Sequence, residues 1–144
     1  MGENFYGYRS IERRLEKVRI HHIGIVVKDI EKNILMYKKL GYKQISEIFF
    51  DEIQNNKVVF LESIDNSQVI ELIAAIGEKS SIYGFKEGYH HICYKLEGEE
   101  NFFEQFKTLK IGKIFTKPIK AVAIDNKDVV FACLNNGTYV EFIL

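Results

Sequence analysis

The chain has 144 residues, 47% of them hydrophobic, which gives it the size of one globular domain and the apolar matter for a packed core. Twenty basic side chains balance twenty acidic ones, so no net field draws it to a nucleic acid or an anionic membrane. Two isolated cysteines, Cys93 and Cys133, form neither a disulfide framework nor a Cys-x-x-Cys site and suit reduced thiols.

Residues 1–17 read as an amino-terminal extension. They are polar, with no apolar stretch long enough for a signal peptide or a membrane span, so the expected location is the cytoplasm. Residues 11–18 read either as a short charged helix or as an extension that orders on a partner subunit. Residues 19–27 alternate: Ile23, Ile25 and Val27 share one face, His22, Gly24 and Val26 the other. Asp29 is a good N-cap, and Ile30, Ile34, Tyr37 and Leu40 follow at helical spacing until Gly41 closes the helix. Strands are expected over 44–50, 57–61 and 68–74, with polar turns between them. Residues 77–88, holding Gly77, Gly84 and Gly88, read as a connection.

The same order then begins again. A strand is expected over 90–96, and a helix whose apolar face is Phe102, Phe103, Phe106 and Leu109, ended by Gly112. Strands follow over 113–117, 129–134 and 138–144, with Asn135-Asn136-Gly137 as a hairpin turn before the last. The single proline, Pro118, opens a loop of about ten residues, long for a hairpin, that is either a lid or a plain surface loop. The expected domain is 18–144, built of β-α-β-β-β modules at 18–76 and 89–144 joined by linker 77–88.

All four histidines sit in two His-His-Ile triplets, at 21–23 and 90–92, one opening each module. Each module also carries a glutamate inside an apolar strand, and the spacing repeats: 49 positions from His22 to Glu71, 50 from His91 to Glu141. Duplicated modules associate about an approximate two-fold axis, so equivalent inward residues converge. An unpaired carboxylate buried in such a strand would cost several kcal/mol, so Glu71 and Glu141 require something cationic. Two imidazole nitrogens and two carboxylate oxygens suit a divalent ion such as Ni, Co, Zn, Fe or Mn, with about two positions open for water or substrate. His22 and His91 lie opposite the aliphatic face of their strands and are chosen over His21 and His90. Cys93, beside them, reads as a small core residue.

The doubled module, with His-His-Ile-Gly-Ile opening one half and His-His-Ile-Cys-Tyr the other, resembles the vicinal oxygen chelate superfamily. That superfamily includes glyoxalase I, methylmalonyl-CoA epimerase, extradiol dioxygenases and the fosfomycin and bleomycin resistance proteins. The resemblance covers roughly residues 18–144 and is closest to the glyoxalase I and epimerase branch, in 37–42, in Ile70-Glu71-Leu72-Ile73 with 77–80, and in 89–94. It implies an α+β fold in which both modules form one curved mixed sheet with the helices outside, and a homodimer. It also implies one divalent metal held by His22, Glu71, His91 and Glu141, nickel or cobalt ahead of zinc. Dioxygenases and fosfomycin enzymes typically use two histidines and one glutamate, so Glu71 as a fourth ligand points to the isomerising branch.

The expected activity is that of a glyoxalase I-like lyase or isomerase on a hemithioacetal of a 2-oxoaldehyde and a thiol. A proton α to a carbonyl moves through a metal-stabilised enediolate, with Glu141 as base and Glu71 as the second candidate. A methylmalonyl-CoA epimerase-like racemase acting on an acyl-CoA is the alternative. It is placed second because the Ala-His-Gly and His-Pro-Lys stretches common in epimerases read here Ala123-Ile124-Asp125-Asn126 and Leu134-Asn135-Asn136. A third reading, of another class, is a metal-free module that binds a small molecule in an aromatic cleft.

Overall fold

The computed structural model describes residues 13–144. The expected helix over 11–18 lies partly outside them, and from residue 13 the chain has no regular structure until the first strand. The first half runs β1 (Val18–Val26), α1 (Ile30–Lys39), β2 (Tyr42–Gln44), β3 (Phe49–Asp51), β4 (Asn56–Ser63) and β5 (Val69–Ala75). The second runs β6 (Gly88–Leu96), α2 (Phe102–Leu109), β7 (Gly112–Ile114), β8 (Ile119–Ala121), β9 (Lys127–Leu134) and β10 (Tyr139–Ile143).

All ten strands form one mixed sheet in the order β2-β4-β5-β1-β6-β10-β9-β7, with β3 also on β4 and β8 also on β9. β5 lies parallel to β1 and β10 parallel to β6, while β1 and β6 pair antiparallel and seam the halves together. The expected α+β architecture is therefore present as a continuous sheet.

Period-two alternation decides what each face carries. Val59, Leu61, Ile70, Leu72 and Ala74 pack with Ile30 and Ile34 of α1. Val130, Ala132, Val140 and Phe142 pack with Phe102 and Phe106 of α2. Each Val, Leu, Ile or Phe buried in this way contributes about 1.5–3 kcal/mol, so both helices are held on one side of the sheet. The opposite face therefore carries His22, Glu71, His91 and Glu141, together with Phe60, Phe131 and Cys93.

Helix α1 begins as expected: the Asp29 carboxylate accepts from the Lys32 backbone N–H at 3.0 Å. Helix α2 ends differently. Lys110, not Gly112, takes the left-handed conformation at φ +55°, and Gly112 instead opens β7. A Cβ at Gly112 would stand 2.5 Å from the Cys133 carbonyl oxygen, so the strand contact needs the glycine.

The expected strand 44–50 is two strands, β2 and β3, and the expected strand 113–117 stops at Ile114. The cause is the same in both halves. The Ser46 hydroxyl accepts from the Phe60 N–H at 2.9 Å, and the Thr116 hydroxyl accepts from the Phe131 N–H at 3.0 Å. Each hydroxyl replaces a ladder carbonyl and bends the edge strand away. The Pro118 segment is no loose lid: Ile119–Ala121 pairs with β9, Val122–Ile124 forms a 3₁₀ turn, and Ala121 and Ile124 are buried.

One further irregularity lies in the seam. In the β1–β6 pairing Ile20 faces Tyr94 and His22 faces Cys93, while Gly24 faces His91 and Ile25 faces Tyr89. His21 and His90 are each the extra residue of a β-bulge, one in each strand.

Candidate functional site

β1, β5, β6 and β10 are neighbours at the centre of the sheet, and each contributes one residue to a polar cluster on the face opposite the helices. His22 and His91 are 1% exposed, Glu141 4% and Glu71 8%. The two imidazoles meet Nε2 to Nε2 at 3.3 Å. Nε2 of His22 is 3.3 Å from Glu71 Oε1 and 3.4 Å from Glu141 Oε1; Nε2 of His91 is 3.7 Å and 3.0 Å from the same atoms. All four residues that the duplicated spacing singles out thus converge, two from each half, with donor atoms within 4.8 Å of one another.

Local packing aims the rings. Phe60 stands across from Glu71 in β4–β5 and meets the His22 ring edge-on at 5.1 Å; Phe131 stands across from Glu141 in β9–β10 and meets His91 edge-on at 5.7 Å. The floors beneath the two rings differ. Gly24 lies under His91, where a Cβ would run into the ring, while the equivalent place beside His22 holds Cys93. Sequence reasoning passed over these phenylalanines, although each stands one hairpin before its glutamate and the repeat was there to find them.

Electrostatics follow from burial. Desolvation alone would depress the His22 pKa, but Glu71 nearby, with hydrogen bonds involving Cys93, Glu141 and Glu71, raises it well above the usual value of 6.5. Burial would likewise raise Glu141, yet hydrogen bonds from His22 and His91 hold it well below 4.5. Burial, and then the neighbouring His22 or His91, push His21 and His90 down to about 4. Burial, and then Glu141, push the Cys93 thiol up to about 12. It is therefore a neutral packing group, as expected, and not a nucleophile.

A profile of the Glyoxalase/Bleomycin resistance protein/Dioxygenase superfamily matches residues 21–131, a span that begins at the first histidine doublet. The chain belongs to this superfamily. Among curated proteins it is 30% identical over 118 residues to human mitochondrial methylmalonyl-CoA epimerase, a match that covers 78% of this chain and 65% of the human protein. A hypothetical protein from Bacillus halodurans C-125 superposes with a TM-score of 0.76 at 24% identity, covering 89% of this chain and 94% of its own. Methylmalonyl-CoA epimerase from Streptomyces coelicolor, in complex with 2-nitronate-propionyl-CoA, superposes with a TM-score of 0.72 at 17% identity, covering 89% and 97%. At those identities the two structures speak for the fold.

The four residues fit the divalent ion that superfamily membership implies. Among the described residues, neither glutamate pairs with a lysine or arginine, and both rest on the two imidazoles alone. The five nitrogen–nitrogen and nitrogen–oxygen separations run from 3.0 to 3.7 Å. Ligand bonds of about 2.1 Å give polyhedron edges of about 3.0–3.4 Å, so the cluster already has nearly that spacing. The site opens through a small gap, lined in part by Glu71, His91, Phe131 and Glu141, beside a cavity of about 300 Å³. That cavity is walled by Ile53, Phe85, His90, Phe115, Phe131 and Tyr139. Ile119 also lines it, so the segment after Pro118 is a wall of the cavity.

Proposed function

We propose that this chain is a divalent-metal-dependent, epimerase-like enzyme of the superfamily, moving a proton α to the carbonyl of an acyl-CoA thioester. The observation that carries this reading is the convergence of two buried carboxylates and two buried imidazoles, one pair from each half, at the edge of an apolar cavity. Similarity to the human epimerase over 65% of that protein's length favours the epimerase side. The Streptomyces epimerase structure with a propionyl-CoA analogue favours the acyl-CoA class. The glyoxalase I-like activity placed first on the sequence has no comparable support, so the order of the two is reversed here.

His22, Glu71, His91 and Glu141 would hold the ion. When bound, it would supply Lewis-acid polarisation of two neighbouring substrate oxygens and so make the α proton acidic. The chain's own part is the movement of that proton. Epimerisation removes it on one face of the carbon and returns it on the other, and the duplication provides a carboxylate from each half. Glu141 takes the proton on its carboxylate, with Glu71 as the second candidate. The phenylalanine and isoleucine walls offer an apolar surface from which a bound substrate would displace water, which would strengthen each charge interaction at the reacting carbon.

The test is solvent-deuterium incorporation at the α carbon of methylmalonyl-CoA on nickel-, cobalt- and zinc-loaded protein, beside methylglyoxal hemithioacetals of several thiols. Exchange into the acyl-CoA is expected. Turnover of a hemithioacetal with no acyl-CoA exchange would restore the glyoxalase I-like reading. Purified protein that holds no transition metal and takes up none at micromolar supply would leave the metal-free binding module.

A further inference from the structure

The proposed chemistry uses one histidine of each doublet and leaves His21 and His90 without a role. Side chains of consecutive strand residues point to opposite faces, so His21 belongs on the α1 side with Ile23 and Ile25. The paired bulges prevent this. Each inserts its histidine as the unpaired residue of the strand and turns the ring back toward its neighbour. Nδ1 of His21 lies 2.8 Å from Nδ1 of His22, and Nδ1 of His90 lies 2.8 Å from Nδ1 of His91. The rings meet edge-on in both, at 79° and 88°. The same contact is built twice, by the same irregularity, at equivalent points of the two halves.

We propose that His21 and His90 are positioning residues, each accepting the Nδ1–H of the adjacent ligand imidazole and so fixing its tautomer and its plane. The inference rests on the reading that the four-residue cluster holds a divalent cation. Nε2 is the atom that His22 and His91 turn toward Glu71 and Glu141. To bind a cation it must present a lone pair, so the proton of the neutral ring sits on Nδ1 and needs an acceptor. Nδ1 of the bulged histidine is that acceptor. Its own proton is thereby placed on Nε2, which has no protein partner among the described residues. The His90 ring is further clamped, stacked on Tyr139 at 23° and edge-on to Phe85. Ligand histidines ordinarily donate to a carboxylate, a carbonyl or water, and a carboxylate raises the ligand's basicity. A neutral imidazole fixes the ring without adding a third negative charge beside the two glutamates.

The experiment uses full-length zinc-loaded protein and its His21→Asn, His90→Asn, His21→Phe and His90→Phe variants. The asparagine oxygen stands close to where Nδ1 stood and can accept; the phenylalanine ring fills the place and cannot. Two-bond ¹H–¹⁵N correlation spectra should show His22 and His91 protonated on Nδ1, and His21 and His90 on Nε2. Zinc affinity, measured by competition with a chelating dye, should fall about 10–100-fold in the phenylalanine variants and stay within about threefold of the parent in the asparagine variants. Circular dichroism and melting of the metal-free proteins check that all five fold. Phenylalanine variants that hold zinc as tightly as the parent would overturn the proposal while leaving the metal reading intact. So would equal losses in the asparagine and phenylalanine variants with tautomers unchanged. A parent protein that takes up no zinc, cobalt or nickel would overturn both.

Discussion

Gly24→Ala isolates how tightly the site is built. Gly24 is not among the positive-φ glycines, so alanine is not strained there by its backbone, and in a strand interior it would ordinarily be preferred. The whole cost must come from space. The new Cβ would stand 2.5 Å from His91 Nδ1 and 2.8 Å from Nε2, and nearer still to Cε1. Ordinary contact requires the ring to retreat by about 1 Å. It has nowhere to go, because His22, His90 and Phe131 surround it at ring separations of 5.4, 5.0 and 5.7 Å. Overpacking of this kind costs about 1–3 kcal/mol, and the same shift takes Nε2 out of its 3.0 Å contact with Glu141. The urea midpoint should fall accordingly, and zinc affinity should fall by at least about tenfold, the loss typical when a ligand is misoriented. Gly112→Ala is the control. It collides with backbone of Cys133 and Leu134 in β7–β9, at the far end of the sheet, and should lower the midpoint while leaving zinc affinity unchanged. In a His91→Ala background the ring is gone, and the stability cost of Gly24→Ala should vanish. A Gly24→Ala protein with parental midpoint and affinity, or with the same cost in both backgrounds, would refute the reasoning.

His22→Ala and His91→Ala should each weaken metal binding at least about tenfold, and more than His21→Ala or His90→Ala; the reverse order in the same dye competition would show that the ligands were misassigned. Glu141→Gln should lower turnover about a hundredfold or more with the fold intact, because an amide oxygen can still face the cluster but cannot take a proton at neutral pH, and Glu71→Gln should be milder; α-carbon exchange that survives only in Glu141→Gln would exchange the roles. The raised His22 pKa stabilises the metal-free fold fully below pH 6.5 and is lost as pH rises through the folded value, while the depressed Glu141 pKa stabilises it above pH 4.5 and is lost on acidification. Burial of His21 and His90 with pKa values of about 4 removes stability as pH falls below 6.5, so urea midpoints of metal-free protein should peak near pH 6.5 and decline on either side; a flat profile would remove these groups from the stability account.

What the sequence made legible was whatever obeys a period. Alternation in β1 put His22 on the face away from Ile23 and Ile25, and the repeat of the module put Glu71 and Glu141 in equivalent strands. What it hid were one-residue departures from the period. A bulge at His21 or His90 has no composition of its own, so nothing in the alternation shows that these rings turn back toward His22 and His91. Ser46 and Thr116 look like ordinary strand residues until their hydroxyls are seen to replace a ladder partner. Pro118 suggested a free loop because the short β8 that follows it is recognisable only by its partner, β9.

The cluster straddles the β1–β6 seam, with His22 and Glu71 on one side and His91 and Glu141 on the other. Whatever cation it holds is bound by both halves at once, so binding and the docking of one half on the other are thermodynamically a single process. An ion present at a hundred times its dissociation constant would tighten that docking by about 2.7 kcal/mol. If the chain were severed at Gly84 and the two fragments mixed, their association should report metal directly: firm in its presence, weakened by a chelator, and indifferent to it once Glu71 and Glu141 are both neutralised.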